Sequence, residues 1–438
     1  MNTQQRAIRS TKLVLIVSAL WLWVLGAGQA VAGGLLLYEA GTPDVGLASA
    51  GWGARAQDAS TVLTNPAGMT RLDGSQVLLG AQALYGDYGF SIGPGTSSAL
   101  GTGDGGNPIG WLPGGAAFMS FSASPDLKFG FAMAGNFGLS EKYDDNWVGR
   151  YYVQEATLLG LSLLPSIAYK VNDKFSVGGG LNVMYGILKD QVAVNNVAPG
   201  AGDGRLELDD TTWGLGFNIG LLYQLSPETR FSLTYNSQVD LDFSAPAEFS
   251  NLAPGIQALL SARGLLDANV DLGVKVPQQV MASLFHQVNP RWAVLGSVGW
   301  QQWSKFGKIE VGVDSNNPTS LTTSLDYDDT WHAALGAQYR LSDPWMVNFG
   351  VAYDSKFQGA TVSPMIPAND TWRFGAGVQN QYSKTFSWGF SAEYAYGGTL
   401  DVDKRSAAPV ALGGRGDLVG AYPDTGMFFL VFNFNWVF

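Results

Sequence analysis

Hydrophobic side chains recur at every second position along most of this chain, with polar or small residues between them. In "TGMFFLVFNFNWVF" (425–438), Phe428, Leu430, Phe432, Phe434, Trp436 and Phe438 fall on one face, and Asn433 and Asn435 on the other. In "TWRFGAGVQNQY" (371–382), Trp372, Phe374, Ala376 and Val378 alternate with Arg373, Gly375, Gly377 and Gln379. A period of two marks a β-strand whose faces meet unlike surroundings. The pattern predicts strands near 75–90, 114–124, 127–138, 153–171, 173–190, 205–225, 229–243, 268–288, 291–313, 321–341, 344–358, 370–382, 385–399 and 424–438. That makes about fourteen, an even number as bacterial membrane barrels require.

The connections alternate as the strands do. Short turns at "SPD" (124), "VND" (171), "SPE" (226), "NP" (289), "SDP" (342) and "YSK" (382) are interleaved with longer segments at 91–113, 139–152, 191–204, 244–267, 359–369 and 400–423. Only the 314–320 connection is brief among the long set. Short turns belong on the periplasmic side and long loops outside, so both termini are expected in the periplasm. Apolar runs such as "LLGLSLLPSIA" (158–168) are cut by Pro and Gly, which excludes helical spans. Lipid offers backbone N–H and C=O groups no partner, so one greasy and one polar face imply a closed barrel. The expected fold is all-β: a transmembrane antiparallel β-barrel of about 14 strands over 74–438, with an N-terminal hatch plugging the lumen.

Arg6, Arg9 and Lys12 precede an apolar run at 13–25, and Ala30-Val31-Ala32 completes the small-x-small pattern of a cleaved leader. Residues 1–32 are therefore read as a signal peptide. Its loss removes three positive charges and makes a formal net charge of −11 still more negative, which disfavours a nucleic-acid partner. An exported chain with no cysteine has neither a disulfide framework nor a thiolate metal site. Only 14% of residues are charged against 46% hydrophobic, with 14 Trp, 17 Tyr and 23 Phe, so an acidic exported chain is here unusually apolar and aromatic.

"DDTTW" (209–213), "DDTW" (328–331), "NDTW" (369–372) and "DDNW" (144–147) form a weak repeat. Paired acids could bind Ca²⁺. The favoured reading puts each Trp in the outer aromatic girdle with its carboxylates in the headgroup zone, and no metal or other cofactor is expected. His286 and His332, the only two histidines, lie near no nucleophile motif and are read as interface residues. "GTGDGGNPIG" (101–110) lacks the strand and helix that a phosphate-binding loop needs. These readings disfavour an enzyme such as an outer-membrane lipase. A general porin is disfavoured because it needs no plug.

Residues 33–73 precede the first strand and carry no strand pattern, yet are too apolar for a disordered leader. A barrel this wide has room to take such a segment inside as a hatch. In the turn Asn65-Pro66-Ala67-Gly68, Pro66 fixes its own φ and pushes Asn65 towards extended geometry, while Gly68 permits a reversal. In "LKFGFAMAGNFG" (127–138), Gly130, Gly135 and Gly138 weaken the ladder and allow a bend. Strand phase turns Lys275, Phe285, Trp303, Lys305 and Arg373 towards the lumen. There a cation could meet a carboxylate or form a salt bridge with one of the many acids.

"GLLLYEAGTPDVGLASAG", "DASTVLTNPAGM", "LLPSIAYKVNDKFSVGGGLNVMYG", "VKVPQQVMASLFHQVNPRWAVLGSVGWQQWSKF" and "MIPANDTWRFGAG", in this order and with a closing aromatic strand, resemble the long-chain fatty-acid transporters of the Gram-negative outer membrane (FadL-like, including aromatic-hydrocarbon uptake relatives). The resemblance covers essentially the whole mature chain. It implies a 14-stranded barrel closed by a hatch, with Asn65-Pro66-Ala67 at the hatch tripeptide. It places Asn136-Phe137-Gly138 at an inward kink of the third strand that makes a side opening. It implies that the helical stretch 251–266 forms an extracellular apolar capture groove, and that Phe438 is read by the barrel-assembly machinery. The implied function is passive transport of hydrophobic small molecules, long-chain fatty acids first and aromatic hydrocarbons as the alternative. Solute would be captured outside, held in a lumen pocket with Lys275, Phe285, Trp303, Lys305 and Arg373, and released sideways past Gly135–Gly138 into outer-membrane lipid below the lipopolysaccharide. A monomer is expected. Gly138→Arg is expected to fill the opening and abolish uptake without disturbing folding.

Overall fold

The computed structural model describes residues 35–197, 202–306, 308–314, 319–320, 323–324 and 327–438; the leader at 1–32 lies outside them. Fourteen antiparallel strands form the barrel: β1 Gln76–Asp87, β2 Gly110–Ser122, β3 Leu127–Lys142, β4 Glu155–Lys170, β5 Phe175–Val194, β6 Gly204–Gln224, β7 Thr229–Asn236, β8 Gln279–Gln287, β9 Trp292–Gln301, β10 Thr330–Ser342, β11 Trp345–Asp354, β12 Thr371–Ser383, β13 Phe386–Lys404 and β14 Leu418–Val437. Each pairs with its neighbours in sequence, and β1 pairs with β14 from Gln76↔Val437 to Asp87↔Gly426, which closes the ring. Closure satisfies backbone groups that lipid cannot.

The alternation sorts as the sequence predicts. On β14, Phe428, Phe432 and Phe434 are exposed towards lipid, while Met427, Phe429, Val431 and Asn433 are buried. Trp213, Trp331 and Trp372 point outwards at 60%, 59% and 49% exposure, as a girdle requires. Trp147 is the exception: it is fully buried and stacked on Tyr143 with ring centroids 3.6 Å apart. It packs within a loop cluster instead of reaching the interface.

The predicted strands at 229–243, 268–288, 291–313 and 321–341 are not continuous. β7, β8 and β9 end at Asn236, begin at Gln279 and end at Gln301, and their extracellular continuations form a separate sheet. In that sheet Val239–Pro246 pairs with Asn269–Val276, which pairs with Lys308–Asp314. Pro277 sits at one break, where the missing N–H cannot extend a ladder. Val239, Leu241, Phe243 and Ala245 are buried, whereas Asp240, Asp242 and Ser244 are exposed. The sheet is a flap, greasy beneath and acidic above. It also leaves Leu208–Gly216 of β6 without a ladder partner on the β7 side among the described residues, since β6 pairs with β7 only from Asn218 to Gln224.

The segment from Leu35 to Leu72 fills the interior. From Leu35 to Met69 it is buried throughout, apart from half-buried Leu36 and exposed Gln57. Its turns are Pro43–Leu47, Thr61–Thr64 and Pro66–Arg71. Glycines on the inner barrel face make room for it: a Cβ on Gly350 would lie 1.9 Å from the Leu47 carbonyl oxygen, and one on Gly80 would lie 1.9 Å from that of Gly41. Gly375 and Gly377 likewise meet the Val45–Ala48 backbone. The glycines that weaken these strands in isolation are what allows backbone to lie on backbone.

Candidate functional site

Three features converge inside the barrel: an anchored hatch, an apolar cluster above it, and a break in the wall beside both. Asn65 is wholly buried at the centre of the first. Its Oδ1 accepts from the Ala67 N–H at 3.0 Å and caps the turn Pro66–Arg71, while its Nδ2 donates to the carbonyls of Gly53 (2.9 Å) and Leu221 of β6 (3.2 Å). Pro66 begins the turn, where a missing N–H costs nothing. Gly68 closes it with an N–H to Asn65 carbonyl bond of 2.8 Å, and a Cβ there would collide with Thr61 Oγ1 at 2.1 Å. Gly178 and Gly220 admit Ala67 and Asn65 against the wall. The tetrad is thus a clasp between hatch and barrel.

A second anchor is ionic. Arg55 of the hatch bonds Asp44 at 2.6 Å and Asp58 at 2.7 Å, all nearly inaccessible. Above it, Arg373 of β12 bonds Glu39 of the hatch, Asp354 of β11 (2.5 Å) and Glu393 of β13 (3.1 Å). His332 Nδ1 lies 2.7 Å from the other Asp354 oxygen, and its ring is 4.5 Å from that of Tyr38. His332 is therefore a lumen residue, not an interface one, because β10 turns it inwards beside outward Trp331. Arg373 faces the lumen as expected, but its hydrogen-bonding edge is taken by carboxylates, the salt-bridge alternative.

The remaining ligand candidates separate. Trp303 is buried in the apolar cluster, its Nε1 donating to Gln301 Oε1 at 2.7 Å and its ring stacked 5.1 Å from Phe357. Lys305, on the same short helix Trp303–Phe306, is exposed. Lys275 stands opposite Asp240 on the acidic side of the flap, because its neighbours Val274 and Val276 take the greasy side. Phe285 lies near the periplasmic end, packed with Leu47, Ala50 and Ala54 of the hatch under the Arg230 guanidinium, and it lines a polar cavity of about 420 Å³. The five do not form one site.

The apolar cluster itself joins Leu35 of the N-terminal segment, Phe137 and Leu139 of β3, Met184 and Leu188 of β5, Val239, Leu241 and Phe243 of the flap, and Trp303, Phe306, Tyr327, Phe357 and Ile366. Most of these escaped the sequence reading. The signal was present in "VDLDFSAP": a strand that alternates apolar residues with aspartate cannot face lipid with its acidic side.

At the wall, the β2–β3 ladder ends at Ala116↔Ala134, although β2 continues alongside β1 as far as Gly110. On its other edge β3 stays paired with β4 but skips a residue between Gly135 and Phe137, a bulge at Asn136. Asn136 Oδ1 accepts from Ser162 at 2.8 Å, and Phe137 turns fully inwards, 6.2 Å from Phe306. The vacated edge is met by the chain's own beginning: the Leu37 N–H donates to the Asn136 carbonyl at 3.0 Å, and the Gly138 N–H to the Leu35 carbonyl at 2.8 Å. Gly138 has φ +151°, and a Cβ there would lie 2.7 Å from the Leu158 carbonyl oxygen. Gly138→Arg therefore strains β4, and normal folding no longer follows.

The apolar helix in the 251–266 loop forms at Pro254–Ala262 and stands on the extracellular tip with no buried residue. Asn196 holds its start, accepting from the Ala253 N–H at 2.8 Å.

Known proteins share this fold. The solved Pseudomonas aeruginosa FadL homologue superposes with a TM-score of 0.82 at 21% identity, covering 93% of this chain and all of that one. The Ralstonia pickettii toluene transporter TbuX gives 0.65 at 20% identity, over 92% and 99% of the two chains. In sequence, the long-chain fatty acid transport protein of Salmonella typhi is 29% identical over 401 residues, 86% of this chain and 90% of that one. The family described as outer membrane protein transport protein (OMPP1/FadL/TodX) matches residues 23–418, and this chain, an outer-membrane barrel, belongs to it.

Proposed function

We propose that the protein is a passive outer-membrane transporter of hydrophobic small molecules, with long-chain fatty acids as its principal cargo. One observation supports the route: the β2–β3 ladder stops at Ala134 beside an apolar cluster, and among the described residues two backbone hydrogen bonds, between Leu37 and Asn136 and between Gly138 and Leu35, join the N-terminal segment to the vacated edge. A solute gathered at the exposed apolar helix Pro254–Ala262 passes to the cluster around Phe137, Trp303 and Phe306. When Leu35–Leu37 swings aside, it leaves through the gap into lipid without crossing the hatch. Binding in a dry aromatic cluster fits an apolar tail. The aromatic-hydrocarbon alternative rests on the structural likeness to TbuX.

Leu36 and Phe137 oppose each other between the two hydrogen bonds, a narrow pair suited to a disulfide, in a chain with no cysteine of its own. Leu36→Cys/Phe137→Cys should take up labelled oleate when reduced and lose uptake when oxidised. Uptake unchanged by oxidation sinks the lateral route. Native mass spectrometry of the extracted wild type should find bound fatty acid, whereas bound monoaromatic hydrocarbon would move the cargo to the alternative.

A further inference from the structure

The barrel wall has a second discontinuity, four strands further round the ring, between β6 and the flap strand Val239–Pro246. From Leu208 to Gly216, β6 has no ladder partner on this edge among the described residues, and Ser237 and Phe217 make its last exchange: Ser237 N–H to Phe217 carbonyl, and Phe217 N–H to Ser237 Oγ, both 2.9 Å. Backbone groups repeat their direction every second residue, so the N–H groups of Leu215 and Trp213 point into the same seam. Only side chains close it. The Gly214 and Gly216 positions let Val239 and Leu241 press against the inner face of β6, and a Cβ on Gly214 would lie 2.4 Å from Val239 Cγ1.

The seam meets lipid. Trp213 marks the outer interface, and Leu215 lies about 7 Å below it along the strand, within the reach of acyl chains. Outside the seam is a cavity of about 440 Å³ lined by Leu181, Leu215, Phe217, Tyr235, Gln238 and Gln278. Its lower wall is greasy and its upper rim polar: Tyr235 donates to Gln278 Oε1 at 2.7 Å, and Gln278 Nε2 to Gln302 Oε1 at 2.6 Å. Behind it, Val239 and Leu241 belong to the same apolar cluster as Phe137 and Trp303. The flap breaks from the barrel on three adjacent strands, at Ser237–Gln238, Pro277–Gln278 and Gln302, and rejoins β6 above the seam in the three-residue ladder of Glu248–Ser250 on Arg205–Glu207, so a tilt that opens the seam pivots on that short ladder.

We propose that this seam is a lateral port through which a single-chain amphiphile already dissolved in the outer leaflet reaches the lumen cluster. Its tail lies on Leu181 and Phe217. Its polar head meets the Gln278 rim and the unpaired β6 amides, groups that a purely hydrocarbon occupant would leave unsatisfied in lipid. This rests on the transport reading above and adds to it a second source of cargo, the membrane itself.

Two reversible locks test it. Gly214→Cys/Val239→Cys closes the middle of the seam. Asp210→Cys/Ser244→Cys closes its upper part without touching the glycine, where Asp210 Oδ2 now accepts from the Ser244 N–H at 2.7 Å. Each full-length variant is placed in vesicles preloaded with a palmitate analogue bearing a terminal diazirine, irradiated when oxidised and when reduced, and its adducts mapped by mass spectrometry. Reduced protein should carry adducts at Leu215 and at the lumen residues Leu241 and Phe306. Oxidation of either lock should cut the lumen adducts by about tenfold, since apparent binding falls with the fraction of competent state. Lumen adducts undiminished in both oxidised locks overturn the port alone. Adducts at Leu215 that never extend to Leu241 or Phe306, while a diazirine phospholipid labels Leu215 equally, overturn it in favour of a resident lipid, provided the lumen still labels with probe delivered from water. A lumen that labels from neither source overturns the transport reading as well.

Discussion

The periplasmic and extracellular halves of this barrel are held by different forces. In the lower half every strand keeps both neighbours, and the hatch is seated backbone to backbone on glycines and pinned by Asn65 and the buried Arg55 cluster. In the upper half the β2–β3 ladder stops at Ala134, three strands leave the wall to form the flap, and apolar side chains replace hydrogen bonds as the closure. Hydrogen bonds inside a membrane are costly to break, whereas apolar contacts can slide or re-form around an apolar guest. On the lateral route proposed above, opening to lipid but not to ions requires rigidity below and compliance above.

The largest expected effect comes from removing the rigid part. Deleting residues 33–73 should leave an assembled, heat-modifiable barrel that conducts ions steadily in planar bilayers, since among the described residues it is the Leu35–Leu72 segment that fills the lumen below the flap. The intact protein should stay nearly closed. Steady conductance from intact protein would abolish the contrast and favour an open porin.

Arg373→Met should come next. It leaves buried Glu39 and Glu393 and half-buried Asp354 around an uncharged side chain, and breaking such a cluster costs about 3–5 kcal/mol. Glu39 belongs to the hatch, so the loss should appear as a lower unfolding temperature together with brief channel openings. Trp372→Leu, one residue along and facing lipid, should leave both within about 0.5 kcal/mol of wild type. Equal effects of the two would mean that the cluster does not hold the hatch.

The same division governs how much the sequence disclosed. Strand count, closure, the girdle and the hatch were legible because lipid imposes a period of two, and interruptions such as Pro66 and Gly68 have local causes. The kink also left a local mark in its glycines. The flap was misread as continuous strands because Val239, Leu241 and Phe243 carry the same period as a spanning strand, and only Asp240 and Asp242 betrayed that the opposite face meets water. Strand phase put Arg373 in the lumen but could not reveal its partners, since Glu39 lies far away along the chain. The register shift that turns Phe137 inwards depends on the single skipped residue Asn136, which period counting passes over.

The smallest effects should separate the two histidines. His332 sits in the lumen beside the outer girdle at 1% exposure, with its Nδ1 2.7 Å from Asp354; His286 is half-buried near a periplasmic turn, with its Nδ1 2.8 Å from Thr229 Oγ1. Asp354, the partner of His332, is bound to Arg373, and Thr229, the partner of His286, stands at the barrel rim. His332→Ala deletes a hydrogen bond to a carboxylate that keeps Arg373, so the loss should be about 1–2 kcal/mol. His286→Ala removes a rim contact that water can replace, for a change within about 0.5 kcal/mol. Oleate uptake at equal surface abundance should match wild type in both. Chemical denaturation with uptake assays on the same preparations measures all four values. Ester hydrolysis that disappeared with either substitution would make the protein an enzyme, and equal destabilisation by both would show that the Asp354 contact of His332 is worth no more than a hydrogen bond at the rim.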